Sequence, residues 1–510
     1  MGNSNLENNK RIVKNTLFLY FRSILTLSIR LYTSREVLAQ LGVTDFGIYS
    51  VVGGVIALFS FIQSAMFNAT SRFFTFNLGK GDFKKLKKTF SLIIIIHICI
   101  TLLILILGET IGLWFLNTQL VIPSERINAA NFVYQFTIFA SCISIMQMPY
   151  LTAINAHERM KIYAYSGIAD AVFKLVIVFA LSFAAFDKLK FYSVLLFAVY
   201  VVMAVFYIIY CHRTFKETHF MWFWDKKMFL EMIRFSLWSL TTGVTSVAAN
   251  QGGIFLMNIF YGVILNAAMG ISSQIQIAVN QFTQNFHAAI NPQIIKSFAN
   301  ENMDYYFSLV IRAIKFSSLM YFLFAFPLIA QIDFILTLWL KEVPDWTNVF
   351  CQLSLINVLI IFTFGPLWTG IFATGNIKLF QITDSIIIAS IFLFTYIGLH
   401  YSPVFCIISH IIANTFRVML ALFFIKRLTK FPVRKLLPVV GKILTTMVIS
   451  VSLPVLISSN TEGFIGFFAT SASFLLLFSL LSLFFALTKI EREYMFDLSK
   501  RIIQKIFNLV

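Results

Sequence analysis

Two arginines, Arg22 and Arg30, lie inside the first long apolar stretch of the chain, residues 12–39. A guanidinium stays charged at physiological pH and presents a planar fork of donors, so its natural complement is a phosphate or a carboxylate. Placing such a charge in hydrocarbon costs about 2.5–3.5 kcal/mol even on the lenient insertion scale. A hydrated cavity that holds an anionic ligand is therefore the functional reading of the pair. At about 100° per residue, Asn15, Arg22, Thr26 and Thr33 fall within about 40° of one another, with Ser23 and Arg30 beside them. Arg35 points elsewhere and sits near the end of the stretch, where it can snorkel to the interface; it is the weaker ligand candidate.

A second constellation is neutral. Ser273, Gln276, Asn280, Thr283, Gln284, His287 and Asn291 recur at i+3 and i+4, one polar stripe along a helix. Ser239, Thr242, Ser246 and Asn250 repeat the pattern one helix earlier, and Ser60, Gln63, Ser64 and Ser71 repeat it near the start. Gln276, Asn280, Gln284 and Asn250 are the candidates for binding a neutral polar group. The competing reading is helix–helix glue, because such side chains hydrogen-bond across membrane bundles. Asp170 and Lys174 are spaced i,i+4 and can neutralise each other. Lys174 also joins the substrate-binding candidates. Asp170 and Asp384, the clear mid-span acids, are the candidates for coupling to a proton or sodium ion. Arg312 and Lys315 lie near a helix start and are expected to snorkel, Arg234 to pair with nearby Glu231, and Lys442 to sit at an interface.

These residues are carried by a chain built for lipid. Of its 510 residues 59% are hydrophobic and 12% charged, half the charge of a soluble domain. Apolar runs of about 20 residues recur throughout, which excludes a porin-like barrel and predicts an all-α polytopic membrane protein. We read about fourteen transmembrane helices, the seventh and eighth at 229–259 and 265–290 and the last at 463–487. The cations cluster on alternate connections, whereas the other side carries only Arg126, Lys188, Lys190 and Lys341. The positive-inside rule then places both termini in the cytoplasm, and the net charge of +18 faces anionic membrane lipids rather than nucleic acid. The five cysteines are scattered through the spans without a CxxC pair, so no disulfide, metal or cofactor is expected. Outer connections are too short for a catalytic domain, and an enzyme is not expected.

The chain repeats itself. Gly42-Val43 corresponds to Gly262-Val263, the segment ending at Asp82 to the one ending at Asp304, and MPYLTAINAHERMKIY from Met148 to GPLWTGIFATGNIKLF from Gly365, all at an offset of about 217–222 residues. Pro149 then matches Pro366, and Lys161 matches Lys378. An offset of six spans keeps membrane orientation, so the repeats are parallel. The expected organisation is a six-helix lobe at 1–215, a second pseudo-symmetric lobe at 216–430, and an extra helix pair with a basic tail at 431–510.

The segment TSREVLAQLGVTDFGIYSVVGGV, Thr33 to Val55, followed by SRFFTFNLGKGD, Ser71 to Asp82, resembles polysaccharide-export flippases of the Wzx type, within the MOP (MATE-like) transporter superfamily. The resemblance covers nearly the whole chain. It implies movement of a polyprenyl-diphosphate-linked oligosaccharide, a precursor of O-antigen or similar surface polysaccharide, across the bacterial cytoplasmic membrane by alternating access. The family's basic cavity residues correspond in kind to Arg22 and Arg30. A lipid II flippase and a multidrug or cation antiporter of the MATE type are the alternatives. The antiporter would want free carboxylates in its cavity, whereas this one reads as cationic.

Overall fold

In the computed structural model, residues 18–30, 32–33, 36–37, 39–42, 45, 48–49, 52, 60–118, 122–183, 186–340, 343–461 and 463–493 are described. All regular structure among them is helical. Helix α1 covers 18–30, α2 Ser60–Gly79, α3 Phe83–Leu107, α4 Leu113–Thr118, α5 Ile127–Ala156, α6 Met160–Ser182 and α7 Lys188–Thr214. The chain continues through α8 Lys226–Ala299, α9 Met303–Ala330, α10 Ile332–Trp339, α11 Thr347–Thr374, α12 Lys378–Leu399, α13 Phe405–Thr429, α14 Val433–Asn460 and α15 Gly463–Leu481. Among the described residues, ten helices are long and apolar enough to cross a membrane. The helices start where carboxylates can take up orphan amides. Asp82 accepts from Lys85 N at the head of α3, Asp187 from Leu189 N and Lys190 N at α7, and Asp225 from Lys227 N and Met228 N at α8.

The seventh and eighth spans expected at 229–259 and 265–290 form one helical run, α8, of 74 residues. A straight helix of that length would reach about 110 Å. Its two ends nevertheless meet the same helix. Glu231 approaches Arg72 at 3.8 Å, and the backbone of Lys296 lies 3.1 Å from the position a Cβ on Gly79 would take. Arg72 and Gly79 are only about two turns apart on α2. The run therefore doubles back, and it is not one of the ten helices counted above.

The chain divides into two compact units. Unit 1 comprises Met1–Ala248, Ala288–Tyr306 and Thr369–Ser385; unit 2 comprises Ala249–His287, Phe307–Trp368 and Ile386–Val510. Inside unit 1, Val133, Tyr134 and Ile138 of α5 pack with Leu116, Leu189 and Val52, and Leu19 of α1 packs with Met160 and Ala289. Inside unit 2, the pair α14–α15 is held to α9 by phenylalanines: Phe326 and Phe474 lie 4.4 Å apart and Phe474 stacks on Phe478 at 5.2 Å. Lys315 of α9, expected to snorkel, is instead buried and pairs with Glu491 just beyond α15.

The sequence repeat reappears as matched turns. Pro149 and Pro366 each lie within the last third of a long helix, α5 and α11. The turn after each is left-handed, at Glu158 (φ 58°) and Gly375 (φ 76°). The turns after α2 and α8 are left-handed at Gly81 and Glu301. There Asp82 caps Lys85 N, as Asn302 caps Tyr305 N at 3.3 Å.

Two consequences can be measured. Between α3 and α4 a π-helical turn, Gly108–Gly112, takes the Tyr134 hydroxyl onto the Gly108 carbonyl at 2.7 Å. A Cβ at Gly112 would collide with that hydroxyl, on a ring that is fully buried. Helix propensity alone would make Gly112→Ala stabilising by up to about 1 kcal/mol; overpacking makes it destabilising by about 1–3 kcal/mol, seen as a lower midpoint in thermal unfolding of the detergent-solubilised protein. The second concerns Arg126, which bridges Asp45 and Asp187, 2.9 Å from the latter. Burial pushes the Asp187 carboxyl up, but the hydrogen bond and charge of Arg126 outweigh it and hold the group below its ordinary 3.8. A depressed carboxyl contributes its stability in full above its unfolded value and loses it as pH falls through the folded one. Unfolding midpoints should therefore be insensitive to this pair from pH 7 to 5 and fall below about pH 3.8, and Asp187→Asn should remove that part of the acid slope.

Candidate functional site

Unit 1 contains a polar cavity of about 340 Å³ among α2, α5, α6 and α7. Its wall includes Gln63, Ser141, Ser144, Lys174, Tyr192 and Tyr200. Lys174 Nζ donates to Asp170 Oδ2 at 2.8 Å and lies 5.3 Å from the centre of the Tyr200 ring. Tyr49 and Tyr192 meet edge to face at 5.1 Å. The i,i+4 pair expected from the sequence thus forms. A half-buried ion pair in a ring of hydroxyls, phenols and an amide is suited to hydrogen-bonding a polar, uncharged group.

Arg22 reaches the same helix from α1. Its guanidinium carbon sits 4.6 Å above the Tyr163 ring, and its Nε lies 2.5 Å from where a Cβ on Gly167 would be. Only glycine leaves room for it there. Its Nε is buried with no hydrogen-bond partner. Tyr163, Gly167, Asp170 and Lys174 are spaced i, i+4, i+7 and i+11, one face of α6. That face therefore carries Arg22 at one end and the Asp170–Lys174 pair about 10 Å along. Sequence reasoning missed Tyr163 and Gly167, since composition and spacing give no reason to single either out.

The remaining candidates are dispersed. Arg30 is exposed, and Thr33 Oγ1 returns to its carbonyl at 3.0 Å. Eight residues separate it from Arg22, a rotation of about 80°, so the two do not share a face. Asn15 and Arg35 lie outside the described residues. Asp384 in α12 is fully buried in unit 1. Asn250, Gln276, Asn280 and Gln284 belong to unit 2. Asn250 and Gln284 are exposed, Gln276 is half-buried, and Asn280 has a buried Oδ1 without a hydrogen-bond partner. Three other members of the polar stripes are glue. Thr242 bonds Gln381, Asn291 takes a hydrogen bond from Thr369 at 3.1 Å, and His287 meets Ser317 at 2.8 Å. Arg417 donates to Asn414, which bonds Asn357, and this network is buried in unit 2.

A charged cluster joins the two sequence repeats inside unit 1. The Glu158 carboxylate, 1% exposed, accepts from Lys296 Nζ and from Gln293 Nε2, both at 2.6 Å. Its repeat-related turn at Gly375 receives the Arg72 guanidinium, which a Cβ at that position would strike. The end of α2 thus packs on the turn after α11, and the end of α8 on the turn after α5, a crossed arrangement. None of this pairing was predicted, because Glu158 and Lys296 are 138 residues apart.

No known family model matches the sequence, and no curated protein matches it. Solved structures do. An outward-facing multidrug resistance MATE family transporter of the MOP superfamily is 12% identical and superposes with a TM-score of 0.68, over 82% of this chain and 96% of that one. The Vibrio cholerae MATE transporter VcmN in its bent form is 15% identical, with a TM-score of 0.65 over 84% and 98%. A MOP superfamily transporter from Pyrococcus furiosus, described as having reversed binding-pocket polarity that suggests a different function, is 12% identical, with a TM-score of 0.63 over 82% and 96%. The fold is that of MATE transporters of the MOP superfamily.

The buried Glu158 cluster can be tested by a double-mutant cycle. Glu158→Gln leaves the Lys296 ammonium facing a neutral amide and should destabilise by roughly 1–3 kcal/mol. Lys296→Met in the same background should recover part of that loss, giving a coupling energy of about 1 kcal/mol or more in unfolding experiments.

Proposed function

We propose that this chain is a transporter that moves a polyprenyl-diphosphate-linked oligosaccharide across a bacterial cytoplasmic membrane by alternating access, with both termini in the cytoplasm. The observation that carries the reading is the sign of the charge on the α6 face. Arg22 is held there by an aromatic ring and a glycine rather than by a carboxylate, while Asp170 is already neutralised by Lys174. A site that keeps a cation uncompensated and its acid paired favours an anion such as a diphosphate. In this reading Arg22 and the exposed Arg30 take the diphosphate. The hydroxyl-rich cavity around Lys174 and the amides Asn250, Gln276, Asn280 and Gln284 hydrogen-bond sugars, and the polyprenyl tail stays in lipid. The two repeats, residues 1–215 and 216–430, rock against each other, and the Glu158 and Gly375 turns are contacts that must break and reform. Coupling to a proton or sodium ion would use Asp170 or Asp384.

The second reading, efflux of organic cations, is favoured by the description of one structural neighbour as a multidrug resistance transporter. It requires a carboxylate free to meet the drug, which Asp170 is not.

In a strain lacking the gene, Arg22→Ala and Arg30→Ala together should abolish surface glycan while the protein still inserts into the membrane. Lys174→Met should reduce it severalfold. Wild-type glycan from the Arg22/Arg30 double variant would refute the assignment, and restored export of a cationic dye by the wild-type gene alone would move it to the second reading.

A further inference from the structure

A second cavity of unit 1, about 380 Å³, opens where α8 and α12 begin. Lys227, Arg234 and Lys378 line it, with Glu231 as the one carboxylate. Lys378 Nζ lies 5.4 Å from the centre of the Trp238 ring, which also faces the cavity. Behind the wall is Arg72, only 7% exposed. Its guanidinium is stacked among Phe73, Phe76 and Phe235 and rests on Gly375. Glu231 approaches it only to 3.8 Å, and its Nε has no hydrogen-bond partner. Four cations against one carboxylate make a site for an anion, and the nearly buried arginine strengthens the local field without being screened by solvent.

The surroundings identify the anion as one that carries hydrocarbon. Leu237 and Leu379, one residue away from Trp238 and Lys378, are more than half exposed. The segment entering α8 presents Trp222 at 83% and Trp224 at 56% exposure. Tryptophan collects at the headgroup level of a bilayer, and leucine this exposed belongs against acyl chains. Basic pockets between membrane helices bind lipid headgroups on the same physical grounds. We propose that this cavity binds the phosphate of an anionic membrane phospholipid, with Lys227, Arg234 and Lys378 as its ligands, Arg72 as a fixed positive charge behind them, and the tails along Leu237 and Leu379. The site is separate from the Lys174 cavity and does not depend on what the protein transports.

The test uses the purified full-length protein in phosphatidylcholine nanodiscs with and without phosphatidylglycerol, and counts bound lipid by native mass spectrometry. Phosphatidylglycerol should be retained over phosphatidylcholine, and Lys227→Gln/Arg234→Gln/Lys378→Gln should weaken it by at least about tenfold. Lys84→Gln/Lys85→Gln/Lys87→Gln, which removes as much charge from α3, should leave it unchanged. Glu231→Gln should tighten it, and serves if the triple variant does not fold. Retention of phosphatidylglycerol by the triple variant, equal loss in the α3 variant, or weakening by Glu231→Gln would overturn the proposal. Displacement of the lipid by inorganic phosphate at equal concentration would also overturn it, by assigning the site to a free anion.

Discussion

A charge that leaves water must be answered by an opposite charge, an aromatic face or a fan of hydrogen bonds, and this molecule is arranged around such answers. Lys174 has Asp170, Glu158 has Lys296 and Gln293, Lys315 has Glu491, and Arg126 has Asp45 and Asp187. Arg72 and Arg22 are answered mainly by rings. Apart from Lys174–Asp170, which lies within α6, these contacts join segments distant in sequence. Elsewhere the contacts are apolar, and in lipid apolar contact alone gives little preference for one neighbour over another. The two arginines held by rings each keep a buried Nε without a hydrogen-bond partner, and Arg72 lies behind the wall of the cavity lined by Lys227, Arg234 and Lys378.

Local features of the fold were legible because they depend on local spacing. Apolar run length marks the spans, and Pro149 and Pro366 mark the repeat. The sequence also foretold the pairing of Asp170 with Lys174, since i,i+4 geometry is a property of any helix. The doubling back of α8 was legible as two apolar stretches on either side of Gly262.

The identity of a charge's partner was not legible. Helical phase placed Arg30 beside Arg22, although a rotation of about 80° leaves Arg22 half-buried and Arg30 exposed. Nothing in the spacing linked Arg22 to Gly167, because that contact is set by how α1 crosses α6. Lys315 was read as snorkelling since its partner Glu491 lies 176 residues away, beyond the last span. The polar stripes divided in the same way. Thr242, His287 and Asn291 bond neighbouring helices, and only three-dimensional packing separates them from Asn280 on the same pattern.

The turns at Glu158 and Gly375 occupy equivalent positions of the repeat and share a left-handed backbone, yet one presents a carboxylate and the other no side chain at all. A glutamate in that conformation is strained by roughly 1 kcal/mol relative to glycine, a cost that the buried ion pair with Lys296 offsets. At Gly375 a side chain is excluded twice, by the backbone and by Arg72. Two fastenings of unlike chemistry thus stand at matched points. The first fastening is electrostatic and the second steric, so a change that loosens one need not loosen the other.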